Sequence, residues 1–512
     1  MKQLSGLDAA FLYMETPTTF GHVTGLTIFE RPNPDYDPYT AVYAKYASLI
    51  GKLEPLRRRP VEVPFGLDHP YWVVDANFDL EFHIRELHLA RPGRADQLAD
   101  QVCRIVGRPM DRNRPLWEAY VIDGLADGRW ALLNKYHHAT IDGASGQLLL
   151  ESLLDATPDA PPAQPSPEWR PEPLPTDVEL LRLALVNLAG NPFKALRVQA
   201  RIVRQLADAA GIDSLSSAAT VAGKVVKRVG RLGSGARPRI PLPATPAPRT
   251  PWNKTITPHR RFAMRTASLE NIKRLKAATG GTVNDIVMAI CAGGLREYLL
   301  AHDCLPDRPL RAMVPVSIRT GDEADPWTNR VSAIVAELPT DCDDPVERVV
   351  RCREAMQRAK RQFELVPAAE LADLTQYSAP VLAIAAVRLA SRLRLANRVA
   401  QPFNLVISNV PGPRRPLYFT GAKLCHQYPM SIVTDGQGLN ITVTSYLDRL
   451  DFGFIVDRDL VPDVWDLAEM HIAEISRLFE ATGAEWAQPT MPDSPRRGQI
   501  ELAQTVGTAT TT

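Results

Sequence analysis

Trp130–Leu154 reads WALLNKYHHATIDGASGQLLLESLL, and the reading of the fold turns on how this stretch divides. Trp117–Asp123 upstream, the Asp127-Gly128 turn signal and the run from Trp130 together predict an antiparallel hairpin. From Gly143 onward the pattern becomes helical, with Leu148, Leu149 and Leu153 on the buried side. His137 and His138 therefore stand at the end of a strand, just before a loop into a helix. Successive strand side chains point to opposite faces, so only one of the two can turn toward a reacting centre. The same geometry argues against a shared metal ion, and no thiolate or H-E-x-x-H companion supports one. Asp142, directly before the helix, reads first as an N-cap accepting backbone N–H groups; a His–Asp catalytic pair is the alternative. Gly143 gives the loop backbone freedom and leaves room for a substrate.

Composition narrows the setting. The 512 residues suffice for two domains. Lys and Arg number 59 against 58 Asp and Glu, so no global charge recruits nucleic acid or draws the chain onto an anionic membrane. Any attraction to lipid must be local. Cys103, Cys291, Cys304, Cys342, Cys352 and Cys425 are scattered without a C-x-x-C pair, and Met1–Ala10 lacks the basic start and apolar core of a signal peptide. A reducing, cytoplasmic setting is expected. The longest clean apolar stretch, Ala379–Val387, stops at Arg388, well short of the roughly 20 residues that span a bilayer. Membrane contact would be peripheral.

Eight prolines in Pro158–Pro175 and six in Pro238–Pro251 deny both helix and central strand and mark extended connectors. The expected organisation is a first domain at 1–155, connectors with helices at 156–251, a second domain at 252–488 and a disordered polar tail at 489–512. Between the connectors, Leu181–Arg231 reads as amphipathic helices; Arg182–Arg231 carries nine Lys or Arg against two Asp. A solvated basic face and a surface for anionic lipid or CoA phosphates both fit that pattern.

His137-His138-Ala-Thr-Ile-Asp142-Gly143 is an HHxxxDG string, and with it the sequence resembles the bacterial wax ester synthase/acyl-CoA:diacylglycerol acyltransferase family, within the chloramphenicol acetyltransferase-like superfamily. The resemblance begins with Leu4-Ser-Gly-Leu-Asp8-Ala-Ala-Phe11-Leu12 and Glu15 and runs through Pro115-Leu116-Trp117. It resumes with Thr282-Val-Asn284-Asp285, Pro315-Val-Ser317-Ile-Arg319, Ser408-Asn409-Val410-Pro411-Gly412-Pro413 and Leu439-Asn440-Ile-Thr-Val-Thr-Ser445-Tyr446. HHxxxDG alone indicates the superfamily; the ordered set is specific to the lipid family. Each string also has a plain structural reading. Pro115-Leu116-Trp117 can start a strand with a buried anchor. Asn284 and Asp285, ahead of an apolar run, suit a helix cap, and Val410–Pro413 suits a rigid turn leaving a strand.

The resemblance implies an α/β fold of two similar domains with mixed sheets and a tunnel at their interface. His138 would be the general base midway along it, supported by His137, Asp142 and Gly143. Asn284 and Asp285 would shape the tunnel or the oxyanion site. Acyl-CoA would be the co-substrate, with no permanently bound cofactor and no metal. Diacylglycerol or a fatty alcohol would be the acceptor, met at a peripheral membrane or lipid-droplet surface. An alcohol needs a base and a thioester brings its own leaving group, so no acyl-enzyme is required. Consistent with this, Gly143-Ala-Ser145-Gly146-Gln147 breaks the G-x-S-x-G pattern, and Walker A and G-x-G-x-x-G strings are missing. Two other readings stay open: a same-superfamily acyltransferase with a non-lipid acceptor, and a non-catalytic lipid-binding or droplet-coating protein.

Overall fold

The computed structural model describes residues 1–141, 143–161, 166, 168–190, 245–317, 327, 329, 331–364 and 380–487. In the first half these form β1 (Lys2–Gln3), α1 (Gly6–Tyr13), β2 (His22–Glu30), α2 (Pro38–Leu49), β3 (Arg58–Val61), β4 (Tyr71–Val74), α3 (Leu80–His83), β5 (Ile84–His88), α4 (Ala95–Val106), β6 (Trp117–Asp123), β7 (Trp130–His137), α5 (Gly143–Leu153) and α6 (Asp177–Gly190). In the second half follow β8 (Arg260–Ser268), α7 (Leu269–Thr279), α8 (Val283–Ala301), β9 (Leu310–Ser317), β10 (Val331–Leu338), α9 (Pro345–Glu364) and α10 (Pro380–Arg392). The chain then continues through β11 (Leu405–Val410), β12 (Tyr418–Phe419), β13 (Ala422–Met430), β14 (Leu439–Tyr446), β15 (Arg449–Asp457) and α11 (Val464–Thr482).

The expected hairpin is present: β6 and β7 pair antiparallel with Trp117 opposite Tyr136, and Gly128 supplies a φ of 77° in the turn. Every residue of β7 is buried, because it is flanked by β2 and β6 and covered on both faces. Trp130 and Leu132 pack with Tyr46 of α2 and Leu149 and Leu153 of α5. Ala131 and Leu133 face the other way, into a core shared with α4, β8 and α8. That two-sided burial is why the strand reads as a nearly unbroken apolar run. In α5 the buried stripe is Leu149, Leu150 and Leu153, while Leu148 is 45% exposed, which corrects the expected face by one position. Neighbouring helix positions are about 100° apart, so a run of three leucines cannot all face inward.

Among the described residues β1-β4-β3 form a small sheet, and of the two six-stranded sheets the first has the order β12-β13-β2-β7-β6-β5 and the second β10-β9-β11-β14-β15-β8. Both are mixed: β5 runs parallel to β6, and β11 runs parallel to β9 and β14, among otherwise antiparallel pairs. β13 belongs by sequence to the second half, yet it pairs along β2 in the first sheet, Leu424 opposite Phe29 and Met430 opposite Thr24. Its backbone then lies against β15 so closely that a Cβ on Gly453 would sit 1.9 Å from the Pro429 carbonyl oxygen. Beside this contact the buried Asp451 accepts the Gln427 N–H at 2.8 Å and the Thr266 hydroxyl at 2.6 Å, tying the two sheets together. The remainder of the basic segment beyond α6 and the polar tail lie outside the described residues, as does Asp142.

Candidate active site

The end of β7 separates the two histidines. His137, the last strand residue, is 1% exposed, and both of its ring nitrogens are engaged. Nδ1 accepts the Ala139 N–H at 3.1 Å, which leaves the ring proton on Nε2. Nε2 lies 3.2 Å from Glu15 Oε1, off the axis of a well-aligned hydrogen bond but with its N–H dipole beside the carboxylate. Glu15 also accepts the Gly21 N–H at 2.8 Å and the Arg112 guanidinium at 2.8 Å. Burial alone would raise the Glu15 carboxyl; the contact with His137, then the Gly21 N–H and Arg112, outweigh it and hold the group well below the usual carboxylate range. Gly21 makes this packing feasible, since a Cβ there would fall 2.6 Å from His137 Nε2 and 2.8 Å from the Phe11 carbonyl oxygen.

His138 is the first residue beyond the strand and is partly exposed. Its ring stacks on Phe11 of α1, centroids 3.9 Å apart and planes 10° apart. Its N–H donates to the Gly21 carbonyl at 2.8 Å, and its own carbonyl accepts from Asn329 Nδ2 at 2.7 Å. Neutral imidazole at this position can accept a proton, and the surrounding contacts fix where that acceptor lies. A narrow cleft between β2 and the second sheet is lined by Phe20, His22, Thr24, Val106, Arg260 and Ile455 among others, and His138 is not part of its lining. His22 is 2.8 Å from the Val106 carbonyl through Nε2, and burial pushes its pKa well below the ordinary value, so it stays neutral.

Gly143 opens α5, as expected, and Asp142 falls outside the described residues. Asp285 sits at the third position of α8 and completes a capping box: Thr282 accepts its N–H at 3.2 Å, and its carboxylate accepts the Thr282 N–H at 2.8 Å. Asn284 stands beside it in the first turn, its Oδ1 accepting from Asn409 Nδ2 at 3.3 Å. Trp117 is a buried strand anchor stacked between Tyr46 and His83, its indole N–H donating to the Leu56 carbonyl. The Pro411-Gly412-Pro413 turn leaves β11 and is fastened to β14, with the Gly412 N–H donating to Ser445 Oγ at 3.0 Å. Among the described residues no cluster of three His, Cys, Asp or Glu is placed to hold a metal, and no helix is long and apolar enough to cross a membrane.

Known proteins resemble this chain along almost its whole length. Residues 4–287 match the wax ester synthase/diacylglycerol acyltransferase catalytic domain, and residues 327–478 match the WS/DGAT C-terminal domain. The O-acyltransferase WSD of Acinetobacter baylyi is 36% identical over 488 residues, spanning 95% of this chain and 98% of that protein. The protein described as probable diacylglycerol O-acyltransferase tgs2 of Mycobacterium tuberculosis is 34% identical, over 93% of this chain and 98% of its own length. Among solved structures, the wax ester synthase/diacylglycerol acyltransferase from Marinobacter aquaeolei VT8 superposes with a TM-score of 0.66 at 31% identity, covering 94% of this chain and 100% of that one. The starter condensation domain of rhizomide synthetase, at 15% identity and a TM-score of 0.50 over 96% of this chain and 95% of that one, shares the fold. With both halves matched in order and the HHxxxDG segment at the centre of the first, the chain belongs to the wax ester synthase/diacylglycerol acyltransferase family.

Proposed function

We propose that the protein transfers a fatty acyl group from acyl-CoA to a lipid alcohol, forming triacylglycerol from diacylglycerol and wax esters from long-chain alcohols, with His138 as the general base. The observation that carries the assignment is the division of labour between the histidines. His137 has one ring nitrogen taken by a backbone N–H and the other turned to Glu15, whereas the partly exposed His138 is braced by its backbone and by Phe11. In this mechanism the His138 imidazole takes the hydroxyl proton as the alcohol oxygen attacks the thioester carbonyl. The tetrahedral intermediate collapses to the ester, and the CoA thiolate leaves and is protonated. For the oxyanion we assign Asn284, whose Oδ1 is held by Asn409 and whose Nδ2 stands in the first turn of α8, where the helix dipole favours negative charge. Asp285 serves there through the cap that fixes this turn. Asp142 and Gly143 are proposed to shape the loop that follows the base.

Purified protein given palmitoyl-CoA with diacylglycerol, hexadecanol or a polar alcohol should release CoA thiol and yield separable lipid esters with the first two. His138→Ala should lower turnover by about 10²–10⁴-fold at matched circular dichroism, and His137→Ala should cost less. Equal, mild losses in the two variants would remove His138 from the role of base. Ester formation on the polar alcohol alone would replace the lipid acceptor.

A further inference from the structure

Asn329 lies two residues before β10, at the edge of the second sheet, and is 4% exposed. Its side-chain Nδ2 donates twice: to the His138 carbonyl at 2.7 Å and to Asp8 Oδ1 at 2.5 Å. Its backbone N–H points to the same Asp8 oxygen at 3.3 Å. Asp8 is 4% exposed and is itself held by α1, where Oδ2 accepts the Ser5 hydroxyl at 2.7 Å and Ser5 Oγ accepts the Asp8 N–H at 3.1 Å. The His138 carbonyl can only accept and Asp8 Oδ1 already faces the Asn329 backbone N–H, so chemistry decides that the NH₂ group faces both. Among the described residues Oδ1 is buried without a hydrogen-bond partner, an arrangement that packing alone does not reward.

We infer that Asn329 is a positioning residue for the proton acceptor: oriented by Asp8, its amide holds the His138 carbonyl and thereby aims the imidazole. The inference rests on the reading of His138 as base. With the His138 N–H bound to Gly21 and its C=O bound to Asn329, both backbone dihedrals flanking the ring are restrained. Phe11 then fixes the ring plane, and it stands one turn beyond Asp8 on the same face of α1. One short helix thus controls the base twice, directly through a ring and indirectly through an amide of the other half of the chain. Seating of the second half at residue 329 thereby becomes a condition for aiming the base.

The decisive comparison is a reciprocal exchange. Asn329→Asp sets a carboxylate against two acceptors and should lower kcat by about 10²-fold, the usual scale for a displacement of about 1 Å at a reacting group, with the KM for palmitoyl-CoA within about twofold of wild type. Adding Asp8→Asn restores a donor–acceptor pair between the two side chains with the direction reversed, so the melting temperature should return. The His138 carbonyl still faces an oxygen, so kcat should stay low. If the double variant regains kcat together with stability, the contact is a structural tie and the inference is wrong. If Asn329→Asp does not fold, Asn329→Ala removes the donor without adding charge, and a folded Asn329→Ala with wild-type kcat overturns the inference equally. His138→Ala in the same assay keeps the two readings apart. An inactive His138→Ala beside unimpaired Asn329 variants defeats only the positioning role, while an active His138→Ala defeats the base.

Discussion

Glu15 is an anion held in place by its surroundings, and this gives it a pH signature. Its folded pKa lies below the value of 4.5 expected for an exposed carboxyl, so the stabilisation it provides is fully present above about pH 4.5 and is lost as pH falls through the folded value. Glu15→Gln should destabilise the protein by on the order of 2 kcal/mol at neutral pH, because it weakens charge-assisted bonds to Arg112 and Gly21. Melting temperatures of both proteins from pH 8 to pH 3.5 should show a constant gap above about pH 5 that narrows below pH 4.5. A gap that instead widened toward acid would mean that Glu15 is not ionised in the fold. At this scale the sequence was partly legible. His138 and Glu15 both stand in recognisable strings, and alternation along a strand already required the two histidines to part. The contacts of Phe11 with His138 and of Glu15 with His137 join residues far apart in the chain, which no periodicity encodes. Asn329 carried no local signal at all, since an asparagine three residues beyond a proline looks like any turn residue.

The elements most readily read were those whose cause is local. The β6–β7 hairpin follows from two apolar runs and an Asp-Gly turn, and the α8 cap follows from Thr282 and Asp285 three residues apart. The partner of β13 could not be read this way. Ala422–Met430 has the residues of a strand, but which sheet receives it depends on the close approach of β15 and on the polar tie at Asp451. Gly453 is where that approach is tightest. Gly453→Ala should force β13 and β15 apart at a rigid backbone carbonyl and cost about 1–3 kcal/mol or more, measured by urea denaturation. An alanine variant as stable as wild type would show that the joint between the sheets yields easily. β12 and β13, which follow residue 252 in the chain, complete the sheet of the first half.

For the whole molecule the substrates pose a problem of access, because diacylglycerol and long alcohols reside in lipid. The turn at Pro64–Gly66 presents Phe65, 81% exposed, and both α6 and α10 touch that turn. Val178, Leu185 and Val186 on α6 and Leu389 on α10 are exposed as well, with Arg388, Arg392 and Arg394 alongside. Apolar tips rimmed by arginines are what an anionic lipid surface attracts. Phe65→Asn combined with Leu185→Glu should reduce co-sedimentation with phosphatidylserine-containing vesicles by about tenfold or more, given roughly 0.8 kcal/mol per CH₂ buried, while turnover of a short water-soluble alcohol stays near wild type. Exchanging the three arginines for glutamine should remove the part of the binding that added salt also removes. Vesicle binding unchanged in both variants would place lipid contact elsewhere. The borrowed strand β13 has a further consequence, in time. During synthesis the histidine pair leaves the ribosome roughly 290 residues ahead of Met430, an interval on the order of 15–60 s at common elongation rates. Throughout it β2 has an open edge, a template for any passing strand. No nascent chain short of residue 430 can complete the sheet that carries the histidine pair.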